Sequence, residues 1–535
     1  LYFEEQDLCK RVIELGWKIA MLPRAKVLHI LGSSTKKATR DMSLVFRQSR
    51  FYYFKKHFGL LNALLTELIM RMGKYELLLI VILGLGIFLR LAGIDKSMQF
   101  IGDQGWFYLS ARDMLLQGTI PLVGIASSHP WLHQGAFWTY LLAGWLWFSH
   151  FNPLAGAYLS CTLDVMAIMA IYLLGGRFFT KTTGILAALF YATSPLVIAN
   201  IRMPYHTSPI PLFVILFFYS LMWWINNKKY AFPVVIFFLG VLYNLEIATF
   251  LFSIITGLFL CFGLWQKKHW AQIFNKKIIF LAVLGFLIPM LSMLLYDLSH
   301  GFAQTLKFLA WLGYKILIIF GYSAINQPTS IPMQTMLNFV DLSYTKLIYP
   351  SNGFFAFFLF SLSIVVAVRA VYQQRNINFV SLFLSTIVLV LGLFTIRVPS
   401  DAYLPMLFPS IILITAYVLQ NLLKIKQTIF LIYGLIFVLV MGNLVFLIAN
   451  NYTFTGINSF QERLTAAKKI VKGAGEKEYN LKGRGVGSQF ASFTMNYEYL
   501  TWWLGHGPSK DKQGLVFTVS EDAKGINVLK ETNKL

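Results

Sequence analysis

The chain has 535 residues, 57% of them hydrophobic and 16% aromatic, with only 13% charged and a formal net charge of +23. Ordinary soluble domains carry about twice that share of charge, so a soluble globular protein is excluded. The excess Lys and Arg sit in short loops beside apolar runs, the positive-inside pattern of membrane proteins, which removes nucleic-acid binding as the reason for the charge.

Cys9, Cys161 and Cys261 lie far apart and show neither metal nor disulfide spacing. The chain opens on Leu1 without a signal peptide and reads as a fragment. Residues 1–73 are charged and basic, with a helix, a glycine stop at Gly16 and a strand near Val27–Ile30. The run Glu4-Glu5-Gln6-Asp7-Leu8-Cys9-Lys10-Arg11, followed by Gly16-Trp17, Pro23, Val27-Leu28-His29 and Ser33-Ser34, resembles the end of a family-2 glycosyltransferase domain. Tyr52–Gly59 (YYFKKHFG) resembles the segment that follows there. Within that motif, which includes Asp7, the resemblance implies a base role for Glu5 and a metal-site role for His29. The nucleotide-binding half of such a domain is not in this chain, so the remnant is expected to be inactive. The plainer alternative is a basic cytoplasmic cap on the first membrane helix.

Eleven apolar segments follow: 76–94, 154–175, 182–200, 208–226, 231–247, 249–265, 277–296, 353–372, 378–396, 403–421 and 428–450. Each is near the roughly 17–25 residues that cross a bilayer. With the N-terminus inside, Arg177/Lys181, Lys228/Lys229, Lys267/Lys268/Lys276/Lys277, Arg369/Arg375 and Lys424/Lys426 all fall on the cytoplasmic side. Letting 134–151 and 307–321 cross as well, for thirteen in all, would reverse the first three clusters. The aromatic stretch 134–151 is therefore placed flat on, or re-entering, the outer face. The expected architecture is an all-α polytopic membrane protein of 11 to 13 helices with a short α/β remnant in front. Its parts are 1–73, the membrane domain 74–450 and a small extracytoplasmic α/β domain 451–535, with a strand at Gly514–Ser520. No internal repeat is visible, which weakens a transporter reading.

Polar residues gather on the outer tips. The first tip holds Asp103, Gln104, Trp106 and Tyr108 in IGDQGWFY, then His129 and His133 in SSHPWLHQ. A carboxylate just past a helix end, inside an aromatic belt, suits a general base that takes a proton from a hydroxyl. The alternative is a helix cap. The second tip, Asn200–Pro209, offers Arg202 for a phosphate, or else for lipid headgroups, and His206. The third, Tyr243-Asn244-Leu245-Glu246, puts an acid at the membrane boundary, where Glu246 could face the same cavity as Asp103. Asp164, mid-helix, is expected to pair with a neighbouring helix. The fourth, Arg397–Pro405, adds Arg397 and Tyr403, with an Arg397–Asp401 ion pair as its plain alternative.

In order and sidedness these tips resemble the membrane-embedded GT-C glycosyltransferases of family 39, the protein O-mannosyltransferase and lipid A aminoarabinose transferase type. The resemblance covers roughly residues 76–450. It rests on Asp103 in a long first loop, His129-Pro130-Trp131 in place of K-P-P-[LI]-x-[YF], and Tyr172–Phe178. It continues with Gly184–Pro195 followed by Arg202, and with Arg397–Pro405 (R-x(5)-Y-L-P). This chain departs from the pattern at His206, where an Asp is common, and at His129, where a Lys is usual. The resemblance implies a polyprenyl-phosphate-linked sugar donor used at the outer face of a multi-pass cell membrane protein. It also implies transfer with inversion to a lipid, glycan or protein acceptor, with Asp103 as the candidate base. One clear loop acid gives no strong reason to invoke a divalent metal or another cofactor. Two other classes stay open: a lipid or solute transporter using Asp164 and Glu246, and a non-catalytic anchor for a family-2 domain.

Overall fold

The computed structural model describes the chain except residues 1, 21, 23, 27–40, 128–130, 320–330, 374–375, 397, 453–457, 523–524 and 533–535. The expected strand near Val27–Ile30 and the site candidates His29, His129 and Arg397 lie outside the described residues. Two compact units divide between Val81 and Ile82.

In the first unit, α1 (Glu4–Glu14) stops where Gly16 takes a φ of 83°, a left-handed conformation that suits glycine. α2 (Met42–Arg71) is broken at Gly59, with a φ of 85°. The break folds the helix back so that Arg50 Nε donates to Glu67 Oε1 at 2.7 Å in a buried pair. Asp7 ties α1 to α2 by accepting from Lys56 and approaching His57 Nε2, each at 2.6 Å. Hydrogen bonds from Lys56 and His57 hold the Asp7 carboxyl down at about 2. Asp7 thus serves as a structural pin, and Glu5 points to solvent on the same helix.

α3 (Lys74–Leu91) carries the chain across the division. The second unit continues with α4 (Ile94–Ser97), α5 (Gly102–Gln117) and an antiparallel hairpin of β1 (Val123–Ala126) and β2 (His133–Gly135). Next come α6 (Phe137–Phe148), α7 (Ala155–Phe178), α8 (Lys181–Thr193), α9 (Pro195–Ile201), α10 (Ile210–Ile225) and α11 (Phe232–Leu245). After a single 3-10 turn at Ile247–Phe250 follow α12 (Leu251–Trp265), α13 (Lys276–Ser299), α14 (Ala303–Ile319), α15 (Met333–Ile348) and α16 (Gly353–Tyr372). α17 (Ile377–Ile396), α18 (Phe408–Leu422) and α19 (Ile429–Ala449) complete the apolar series.

All eleven apolar segments of the sequence are helical. Among the described residues, five helices are long and apolar enough to cross a membrane, or up to eight if each bent pair is one crossing, while α10, α11 and α18 are shorter apolar helices. The bend of 57° between α8 and α9 falls at Pro195, which opens α9 and cannot continue the hydrogen-bond ladder of α8. On α13, Phe280, Val283, Ile288, Leu291 and Leu298 are exposed, an apolar face suited to lipid. α6 has 12 residues, about 18 Å of helix, too short for a hydrocarbon core of about 30 Å.

Close approach of backbones holds the helices. A Cβ on Gly240 would lie 2.6 Å from Pro289 Cγ, and one on Gly285 2.8 Å from the Pro233 carbonyl oxygen, so α11 and α13 touch through small residues. At membrane depth Arg90 Nε donates to Asp164 Oδ2 at 2.6 Å, and the Tyr191 hydroxyl donates to Asp164 Oδ1 at 2.6 Å. Asp164 therefore does pair with a neighbouring helix.

The C-terminal region packs α20 (Phe460–Ala474) and α21 (Met495–Trp503) with a three-stranded sheet ordered β3 (Asn480–Arg484), β4 (Leu515–Asp522), β5 (Gly525–Thr532). β3 and β4 are parallel, and β4 and β5 antiparallel; β4 covers the expected strand Gly514–Ser520 except Gly514 and runs on to Asp522. Its core gathers Ile470, Tyr479, Tyr497, Phe517 and Val519. Ser459 and Glu462 close a capping box at the start of α20.

Candidate active site

Asp103 is the second residue of α5. Its helix is not capped by it: the Ile101 N–H donates to Gln104 Oε1 at 2.9 Å, so Gln104 closes the first turn and leaves the Asp103 carboxylate to side-chain partners. Ser492 Oγ donates to Asp103 Oδ1 at 2.7 Å, and the Tyr205 hydroxyl donates to Oδ2 at 3.2 Å. Both partners are neutral hydroxyls, and the carboxylate is only half-buried.

One helical turn on, Phe107 packs edge-on against Tyr205 and tilted against His206, with ring centroids 5.6 and 5.7 Å apart. This seats the second tip on the face of α5 that carries Asp103. Burial first, then the Asp103 and Glu246 carboxylates, push the Tyr205 phenol well above its ordinary value, so it stays a donor. His206 Nε2 lies 3.2 Å from Glu246 Oε2, and Gln134 Nε2 donates to the same oxygen at 3.1 Å. Gln134 Oε1 in turn accepts from the Ile247 N–H at 2.9 Å. The chain of contacts Asp103–Tyr205–His206–Glu246–Gln134 thus joins three of the four polar tips in one cluster. The helix break after α11 makes this arrangement, because Asn244 accepts from the Phe137 N–H at 2.9 Å and donates to the Pro289 carbonyl at 2.8 Å.

Three residues placed by sequence among the substrate contacts are structural. Gln104 is fully buried at the helix start. Tyr108, also fully buried, donates to the Pro153 carbonyl at 2.7 Å and accepts from the Gly156 N–H at 2.8 Å, pinning the start of α7. Arg202 is fully buried and donates to the Leu89 and Ala92 carbonyls at 2.8 and 3.0 Å and to Ser97. Its guanidinium lies 4.5 Å from the Tyr452 ring centroid. Arg202 closes the end of α3, where carbonyls lack helix partners and the dipole favours a cation.

His133 opens β2, half-buried, with its backbone N–H and carbonyl both bonded to the Gln304 amide. Burial and nearby Lys307 lower its pKa. Tyr403 stands on a short 3-10 segment, Asp401–Met406, beside Leu404. Leu404 helps line an apolar cavity of about 360 Å³ among α9, α15, α16, α17 and α18, with Leu196, Tyr344, Phe357, Phe383 and Phe408. Trp106, half-buried, opens instead onto a groove of about 710 Å³ between α5 and the C-terminal region, with Ser110, Asp113, Met495, Glu498 and Trp502. Among the described residues no group of three His, Cys, Asp or Glu is placed to hold a metal ion.

Sequence reading missed Tyr205 as a partner of Asp103, although it lies in the second tip, and missed Ser492, 389 residues away. The signal for the second was present in the two glycines of Gly102-Asp103-Gln104-Gly105. A Cβ on Gly102 would sit 2.0 Å from the Ser492 carbonyl oxygen, and one on Gly105 2.1 Å from the Asn496 nitrogen.

Residues 133–296 match the family model described as dolichyl-phosphate-mannose-protein mannosyltransferase. That stretch runs from β2 to α13 and includes Gln134, Tyr205, His206 and Glu246. No curated protein sequence matches the chain. Among solved structures it is similar to ArnT from Cupriavidus metallidurans bound to undecaprenyl phosphate, with a TM-score of 0.56 at 9% identity. That match covers 82% of this chain and 92% of the other. It is also similar to the archaeal oligosaccharyltransferase AglB from Archaeoglobus fulgidus, in complex with an inhibitory peptide and a dolichol-phosphate. There the TM-score is 0.54 at 11% identity, over 84% of this chain and 64% of the other. The chain thus shares the fold of ArnT and AglB.

Proposed function

We propose that this chain is a membrane glycosyltransferase that moves a sugar from a polyprenyl-phosphate donor to an acceptor hydroxyl. The observation that carries the reading is Asp103: a half-buried carboxylate held by two neutral donors, one turn from a groove that begins at Trp106. The acceptor oxygen attacks the anomeric carbon as the carbon–oxygen bond to phosphate breaks. The acceptor proton passes to Asp103, polyprenyl phosphate leaves as an anion, and the anomeric configuration inverts.

The groove at Trp106 takes the acceptor, and the apolar cavity beside Tyr403 takes the isoprenoid tail. Arg397 is the candidate cation for the phosphate, in keeping with its place in R-x(5)-Y-L-P. The His206–Glu246 pair holds Tyr205 from behind. Eleven crossings with the N-terminus cytoplasmic put this cluster and the C-terminal region on the extracytoplasmic side, in accord with the loop charges. The N-terminal segment is the closing part of a family-2 glycosyltransferase domain, with Asp7 as its pin.

The test is turnover by the purified chain in lipid nanodiscs, offered a panel of undecaprenyl-phosphate and dolichyl-phosphate sugars with envelope extract as acceptor. Sugar should leave the donor and free polyprenyl phosphate should appear, with both lost in Asp103→Asn. No turnover on any donor, or equal turnover by the variant, overturns the reading.

A further inference from the structure

We propose that the C-terminal region is part of the active site, with Ser492 as a positioning residue for Asp103. The inference rests on Asp103 being the base and goes beyond it by assigning a second region of the chain to the chemistry. Ser492 is not an incidental surface contact. It lies three residues before α21, where the chain meets the first turn of α5 backbone to backbone. Gly102 and Gly105 leave no room for a side chain there, and Asn496 Nδ2 donates to the Phe100 carbonyl at 2.8 Å from the next turn. The hydroxyl is therefore held by main-chain packing on both sides of the contact.

The geometry gives each carboxylate oxygen one hydroxyl donor, Ser492 on Oδ1 and Tyr205 on Oδ2. Two such bonds fix the carboxylate plane, while each oxygen keeps a lone pair for the acceptor proton. A cation in either place would neutralise the base instead. Other titratable groups around Asp103 come from several elements. The second tip brings Tyr205 and His206, and the break after α11 brings Glu246, paired with His206. α21 brings Glu498, which accepts from Thr494 at 2.8 Å. On α5 itself the next charges are Arg112 and Asp113, bonded to each other at 2.7 Å.

The experiment is the pH dependence of kcat/KM for polyprenyl-phosphate release, using the full chain in nanodiscs and whichever undecaprenyl-phosphate sugar turns over. Ser492→Ala should move the acid limb upward by about half to one pH unit and lower kcat by about 3- to 10-fold. Ser492→Thr, which keeps the hydroxyl, should restore the wild-type limb, and Tyr205→Phe should shift it in the same direction. If Ser492→Ala does not fold, Ser492→Cys, similar in size but a weak donor, reads the same limb. A limb that overlays the wild type while Asp103→Asn abolishes turnover overturns the inference alone. So does an unmoved limb with a lowered KM for the acceptor, which would make Ser492 a mere occupant of the acceptor's place. Full activity in Asp103→Asn instead removes the base itself, and the proposed function with it.

Discussion

Asp103 and Asp164 are both aspartates that accept from a tyrosine hydroxyl, yet they do different work. At Asp164 the second partner is Arg90, itself fully buried and bonded to the Ala192 carbonyl at 3.0 Å, so the charge is matched on the spot. At Asp103 the second partner is a serine, and no cation is bonded to the carboxylate among the described residues. A buried acid with a guanidinium on it is a fastening; an acid at a groove held by neutral hydroxyls fits the base role proposed for it.

The sharpest way to break that contrast is Asp103→Asn. Turnover should fall by about 10²- to 10⁴-fold, measured as polyprenyl-phosphate release, with thermal unfolding in detergent little changed. Arg90→Ala should do the reverse. It leaves an unmatched acid at membrane depth and should destabilise the protein by about 3–5 kcal/mol in a thermal or denaturant melt. Adding Asp164→Leu to an Arg90→Met protein should recover most of the loss, since removing both charges is far less harmful than removing one.

A smaller effect sharpens the role of the middle of the chain of contacts. Glu246→Gln turns one acceptor oxygen into a donor amide, so His206, Gln134 and the Ala248 N–H can no longer all be satisfied, and a loss of about 1–3 kcal/mol in stability is expected. Turnover should fall less than in Asp103→Asn, because Glu246 touches Asp103 only through Tyr205 and His206. An equal or larger loss of turnover in a folded variant would make Glu246 the catalytic acid and Asp103 its support.

The smallest effect concerns pH. His133 has its pKa lowered in the fold, so below the ordinary value near 6.5 the unfolded chain binds a proton that the folded one resists. Stability should decline as pH falls through that region and rise as pH increases. His133→Gln should flatten the slope in melts taken across this range.

Much of this was legible in the sequence, for physical reasons that differ by feature. The eleven apolar segments were visible because a bilayer demands long runs of one kind of side chain. Asp103 and Glu246 stood out because acids at a membrane boundary are rare. Asp164 read as a helix partner because a lone charge at that depth must be matched. Arg202 was misjudged because an arginine at a helix end can equally turn outward to a phosphate or inward to bare carbonyls, and only packing decides. Gln104 and Tyr108 were misjudged for the same reason: they lie one turn apart on one face of α5, and an apolar neighbourhood does not say whether that face turns inward. The bend at Pro195 left a trace, whereas the partnership of Ser492 with Asp103 joins two points too far apart for any local pattern to carry.

That separation sets a clock. With 389 residues between the two ends of the contact, a ribosome adding about 5–20 residues per second finishes the Asp103 helix roughly 20–80 seconds before Ser492 emerges. Throughout that interval the first turn of α5 presents a groove of bare glycine backbone with nothing laid against it. The carboxylate gains its second donor only after those 389 residues have been added, so a chain released before then carries the acid without its setting.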